Sequence, residues 1–229
     1  MKNCNQKWLP PLAAIALLNI AVVACGGSGQ SPGFMASETP DNSGTPASQR
    51  NGRILLIGLD GTRADGLSQA NTPNIDQLIS NGFASYQAIT GDVSLSGPGW
   101  ASMLTGVWCT KHNVLDNDTT WAQSRFDTYP HFMARLKEAR PAARAVSISH
   151  WNPINDEIVC APERAGDVAC DGIDVITNVD TDAAVRDAVV SELQNGDADV
   201  IFMQFDDIDH AGHGDPPFGV GGGDAVGLA

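Results

Sequence analysis

Apolar residues in this chain gather in short continuous runs, separated by stretches with a helical period. Ile54-Leu55-Leu56-Ile57-Gly58-Leu59 is such a run and predicts a strand buried on both faces of a parallel sheet. Val200-Ile201-Phe202-Met203 has the same texture, and residues 145–149, 173–177 and 83–90 read as further strands. Between them, Thr72-Pro73 opens a helix that closes at Asn81-Gly82, and Phe132, Met133 and Leu136 mark another, stopped by Pro141. The clearest helix runs from Asp180 to Asn195, with Val185, Val189 and Leu193 on one face and Gly196 behind it. Strands alternating with helices predict an α/β fold with a mostly parallel sheet. No internal repeat is visible.

The first 52 residues have a different character. Lys2 and Lys7 precede an apolar run from Trp8 to Ala24, interrupted by Pro10 and Pro11, as in an export signal. Its end, Val22-Val23-Ala24-Cys25 followed by two glycines, resembles a bacterial lipoprotein signal, which implies lipidation of Cys25. An ordinary cleaved signal and an uncleaved anchor are the alternatives. Residues rich in Gly, Ser, Pro and Thr follow, without apolar period, as in a flexible tether. The expected organisation is a signal at 1–24, a tether at 25–52 and a folded part at 53–229. The expected location is the bacterial cell envelope, on the periplasmic or outer-surface side of a membrane, with the lipid as anchor.

Composition narrows the partners. The 229 residues are 42% hydrophobic, enough for one sizeable core and few for two. A net charge of −14 argues against nucleic acid and anionic membrane surfaces. An acidic protein acting on an anionic substrate needs local positive charge, for which bound metal ions are the obvious source. Of the five cysteines, Cys4 goes with the signal and Cys25 with the lipid. Cys160 and Cys170 flank a loop-like segment with Pro162, Gly166 and Asp167 and are expected to pair, leaving Cys109 unpaired. The cysteines show no metal-site spacing.

Three places carry candidate chemistry. Ser96-Gly97-Pro98-Gly99-Trp100-Ala101-Ser102-Met103-Leu104-Thr105-Gly106 puts a hydroxyl just before a short helix, with Pro98 in its first turn. Free N–H groups and the helix dipole favour an anion there, and a hydroxyl whose pKa is lowered can attack phosphorus. The plainer reading is a serine N-cap. In parallel sheets ligands collect beyond the carboxyl ends of the strands, and the acids Asp60 and Asp206-Asp207-Asp209 fall there. Asp209 and His213, four apart around Gly212, make a reasonable metal pair; a solvated acidic loop is the alternative. Ala211 and Phe218 stand where a calcium loop from Asp207 requires ligands. The Gly219–Gly227 stretch follows no strand and opens no helix, so it is not a dinucleotide fingerprint.

Together these pieces resemble the alkaline phosphatase superfamily, nearest to its type I phosphodiesterase/nucleotide pyrophosphatase branch, with sulfatases as cousins. Four blocks carry the resemblance, over residues 53 to about 215. They are Gly58-Leu59-Asp60-Gly61 followed by Asn71-Thr72-Pro73-Asn74-Ile75; the Ser96–Gly106 block; His112-Asn113-Val114-Leu115-Asp116-Asn117; and Asp209-His210-Ala211-Gly212-His213. The resemblance implies a three-layer α/β fold and a centre for two divalent ions, with zinc favoured and manganese or calcium open. It implies Asp60 and Ser96 at one metal, Ser96 as nucleophile, Asn117 on a non-bridging substrate oxygen, and Asp209 and His213 at the second metal. The implied activity is hydrolysis of small phosphoesters, chiefly phosphodiesters or nucleotide pyrophosphates.

Some residues depart from the pattern. The phosphodiesterase branch usually has Thr at the position of Ser96, which gives weight to monoester hydrolysis. Sulfatases need Arg where Trp100 stands, so sulfatase activity is not expected. The superfamily completes its two-metal site with a later Asp-His-Gly segment and one further histidine. Neither falls within these 229 residues, so the sequence reads as the N-terminal part of such a domain, with an incomplete sheet and a hydrophobic edge. A truncated, non-catalytic lipoprotein that binds metal or phosphate is the competing reading. Among the remaining histidines, His112 reads as a structural loop residue and His131 as a helix start. His150 stands at a strand end, near the site or merely capping, and His210 beside the metal motif without being its ligand.

Overall fold

A computed structural model describes residues 53–90, 94–160 and 169–214. The signal, Cys25 and its tether, and the Gly219–Gly227 stretch lie outside the described residues. Among the described residues four strands form one wholly parallel sheet in the order β1-β4-β2-β3: β1 Ile54–Leu59, β2 Ala145–Ser149, β3 Val175–Asn178 and β4 Val200–Phe205. β4, the last of these in sequence, sits between β1 and β2. Its register pairs Ile54 with Val200 and Leu59 with Phe205, so β1 and β4 end together.

Alternation along β4 builds a core on each face of the sheet. Val200 and Phe202 point into a cluster with Trp100, Leu104, Phe126, Met133 and Ile154. Ile201 and Met203 point the other way, to Val146, Ile148, Val185 and Val189. The first layer is supplied by α3 (Ser96–Thr105), α5 (Phe132–Ala139) and a buried π-turn at Ile154–Val159; the second comes from α6 (Asp182–Asn195). The result is the expected three-layer α/β arrangement. The helices α1 (Ala64–Gln69), α2 (Pro73–Asn81), α4 (Cys109–His112) and α7 (Asp207–Gly212) follow strand ends or link the larger elements. Among the described residues no helix is long and apolar enough to cross a membrane.

Local chemistry accounts for the helix boundaries. Pro73 opens α2 at a position whose N–H has no helical partner. Thr181 Oγ1 accepts from Ala184 N at 3.1 Å, and His131 Nδ1 from Ala134 N at 3.2 Å, capping α6 and α5. Gly106 closes α3 in the left-handed conformation, φ 70°.

Several expectations need correction. Residues 83–90 form no strand; Phe83 is 92% and Ile89 69% exposed, and without a neighbouring strand their backbone groups have no ladder to join. β1 is paired on one side by β4, and its side chains at 55–57 are half-buried, whereas β2 and β4 are the strands covered on both faces. The third strand begins at Val175 instead of Ile173, and Leu193 of α6 is exposed while Val185 and Val189 are buried. Ser96 is the first residue of α3, and Leu95 is its N-cap. Cys109 is disulfide-bonded, which corrects the unpaired thiol. Cys160 and Cys170 are joined by a disulfide with Cα atoms 4.1 Å apart.

Candidate functional site

The site is built where β1 and β4 end side by side. Asp60 follows β1 and is 3% exposed. Its backbone N–H donates to Phe205 O at 3.0 Å, which continues the β1–β4 ladder by one step. Its carboxylate has two fixed donors: Gly61 N at 2.9 Å on Oδ1 and Trp100 Nε1 at 2.8 Å on Oδ2. Trp100 lies one turn beyond Ser96 on α3, so the helix that carries the expected nucleophile also fixes this carboxylate. Gly58 makes room for the indole; a Cβ there would collide with the ring. Gly61, at φ +69°, is packed against the backbone of Asp209, which brings the loop after β4 up to the end of β1.

Asp206 and Asp209 complete the acidic group. Burial pushes the Asp209 carboxyl up to about 6, aided by the nearby Asp60 and opposed by His213. Burial raises Asp206 as well, with Gln204 opposing and Asp60 adding to the rise. His213 Nε2 stands 3.2 Å from Asp209 Oδ2 and is exposed to solvent. Three carboxylates thus converge at low exposure, which is costly unless a cation offsets them. The donor chemistry fits a divalent ion, since oxygen and imidazole donors meet at a centre of concentrated negative charge.

The other side of the site is the start of α3. Gly97 N donates to Asn117 Oδ1 at 2.8 Å, which sets Asn117 beside half-buried Ser96. A Cβ on Gly97 would stand 2.6 Å from Asp116 O, so glycine permits this approach. The Asn117 segment is held by its neighbour: Asp116 Oδ1 accepts from the N–H groups of Asp118, Thr119 and Thr120 at 3.1, 2.7 and 3.1 Å. The Thr119 hydroxyl, foremost among these donors, keeps Asp116 well below the usual carboxylate range.

A second serine–histidine contact has a different nature. Ser102 Oγ and His112 Nε2 are 2.9 Å apart, but His112 Nδ1 accepts from Val114 N at 3.1 Å. The ring proton therefore sits on Nε2 and points to Ser102, whose own proton goes to Pro98 O at 2.7 Å. No lone pair remains on His112 to accept the serine proton, so the pair is a structural clasp.

Sequence reasoning missed several residues that organise this region. Gln204 is fully buried; its Oε1 accepts from Ser149 Oγ at 3.1 Å and Trp151 N at 2.8 Å, and its Nε2 donates to Asp206 Oδ1 at 2.8 Å. Asp182, at the head of α6, accepts from the backbone N–H groups of Asp206 and Asp207. A polar residue closing an otherwise apolar strand was the available signal for Gln204. Asp182 gave none beyond an ordinary helix start.

Comparison with known proteins agrees with this architecture. The family model described as type I phosphodiesterase / nucleotide pyrophosphatase matches residues 54–218. A bis(5'-adenosyl)-triphosphatase of Xenopus laevis is 28% identical over 80 residues, which is 35% of this chain and 16% of that protein. The chain therefore matches a small part of that relative's length. No solved structure matches the chain.

Proposed function

Because the chain belongs to the type I phosphodiesterase / nucleotide pyrophosphatase family, we propose that it serves metal-dependent hydrolysis of small phosphoesters through Ser96. Phosphodiesters and nucleotide pyrophosphates are the proposed substrates. The observation that carries the reading is that α3 links its first residue, Ser96, both to Asn117 through Gly97 N–H and to Asp60 through Trp100 Nε1.

Asp60, Ser96, Asp209 and His213 would hold divalent ions, zinc being favoured by the mix of carboxylate and imidazole donors. Bound metal supplies the charge that lowers a hydroxyl pKa and offsets negative charge on the oxygens entering and leaving phosphorus. Ser96 Oγ then forms the bond to phosphorus as the ester oxygen departs with its alcohol or nucleotide, and water cleaves the resulting phospho-Ser96 ester. Asn117 Oδ1 is already engaged by Gly97, so the Nδ2 amide protons are the ones left to meet a non-bridging oxygen. Residues 1–24 are proposed as an export signal and Cys25 as a lipid anchor, supported by the sequence pattern alone.

The test is turnover of an aryl phosphodiester by the zinc-supplemented full chain. Ser96→Ala should lower it by roughly a thousandfold or more. Undiminished turnover by Ser96→Ala would reject the nucleophile assignment.

A further inference from the structure

A second set of donors lies where the end of β2, the first turn of α6 and the start of α7 meet. One donor atom from each of His150, Asp207 and His210 lies within 4.8 Å of the other two. None of these residues belongs to the ligand set proposed above. The two imidazole rings meet edge to face, with centroids 5.4 Å apart.

Each ring also has a carboxylate on one nitrogen. Asp182 Oδ1 is 2.8 Å from His150 Nδ1, and Asp206 Oδ2 is 3.2 Å from His210 Nε2. Carboxylates placed in this way orient imidazole ligands and raise their basicity. Asp182 further accepts from Asp206 N at 2.8 Å and Asp207 N at 3.1 Å, so one side chain fixes both the His150 ring and the backbone carrying Asp207. The His150 side chain is only 9% exposed, against 55% for Asp207 and 64% for His210. The cluster is anchored on the protein side and open to solvent on the other.

We propose that His150, Asp207 and His210 form a further site for a divalent transition ion of the zinc type, separate from the centre at Asp60, Ser96, Asp209 and His213. Asp182 and Asp206 are its positioning carboxylates. Two imidazoles and one carboxylate favour zinc or cobalt over magnesium or calcium, and leave a fourth position for water. Ligand atoms around a tetrahedral centre with bonds of about 2.0 Å stand roughly 3.3 Å apart. Rotation of the exposed Asp207 and His210 side chains supplies that contraction. The bound ion ties α7, and with it Asp209 and His213, to the end of β2. This inference stands on the geometry of these side chains and does not depend on Ser96 being a nucleophile.

Cobalt(II) titration of the full chain, followed by visible absorption, tests it in an Asp209→Asn/His213→Ala background that lacks two ligands of the neighbouring centre. The expected result is a tetrahedral-type band that saturates at one cobalt and is displaced by zinc. Adding His210→Ala or Asp207→Asn should abolish the band or weaken cobalt binding at least tenfold. Both positions are exposed, and unchanged far-ultraviolet circular dichroism verifies the fold of each variant. A background protein without the band overturns the proposal, as does a band that persists unchanged in both added variants.

Discussion

Trp100 Nε1 donates to Asp60 Oδ2 at 2.8 Å, across forty residues of chain and between two buried side chains. The indole packs edge-on against Phe202 of β4, with ring centroids 5.9 Å apart. A rigid aromatic body set against the sheet therefore aims a single N–H at the carboxylate that closes β1.

Trp100→Phe keeps most of the apolar contact and removes the donor. The loss should lower divalent-metal affinity by about 10–100-fold, the usual range when an outer partner of a ligating group is deleted. It should also cost about 1–3 kcal/mol of stability from the unpaired carboxylate oxygen. Chelator competition reads the first quantity and urea unfolding of metal-free protein the second. Unchanged metal affinity would show that the bond does not orient Asp60 for binding.

Gly58→Ala pushes a methyl group into the Trp100 ring. Because the indole is wedged between Phe202 and the Asp60 carboxylate, the expected destabilisation is about 1–3 kcal/mol. The double variant Gly58→Ala/Trp100→Phe should lose less than the sum of the two singles, since the smaller ring relieves the collision. Denaturant midpoints of the four proteins give the coupling directly.

His112 sets a pH dependence. It is fully buried, and burial pulls its pKa from 6.5 down to about 4. Between those values the unfolded chain binds a proton that the folded chain refuses, so stability is complete above about pH 6.5 and declines as pH falls toward 4. The full loss is about 3 kcal/mol. Urea midpoints measured from pH 7 to 4.5 should show a slope that flattens in His112→Gln. An equal slope in that variant would place the titrating group elsewhere.

The Cys160–Cys170 bridge closes a short loop, the two residues being 10 apart in sequence. Replacing both with serine should lower stability by roughly 2–3 kcal/mol through the freedom returned to the unfolded chain. Reductant should lower the thermal midpoint of the native protein by more than that of the double serine variant, in which Cys109 remains bridged.

Much of this architecture was legible in the chain. β2 and β4 are largely apolar, with Ser147, Ser149 and Gln204 as the exceptions, and the clearest helix, α6, begins within two residues of the start its sequence predicts. The acids at the ends of β1 and β4 were legible as strand-end residues because a parallel sheet gathers such ends on one side. What escaped was pairing over distance. Nothing local says that β4 enters between β1 and β2, or that Gln204 will bond Ser149, fifty-five residues earlier. His150 was readable only as a strand-end histidine, because Asp182, thirty-two residues on, is what gives it a partner. Residues 83–90 misled for the opposite reason: their apolar content is local, whereas strand formation depends on a neighbour they do not have.

The sheet order also governs when the molecule can assemble. β1 and β2 are not neighbours; each pairs with β4, which is made after both of them. Until residue 205 has emerged, β1 lacks the strand that pairs with it among the described residues. Contacts of such long sequence separation make for slow folding. The apolar run at 54–59 therefore waits for β4 during synthesis, whereas β2 can pair with β3 first, and the corner where Asp60 meets Asp206 and Asp209 closes late, with the arrival of β4.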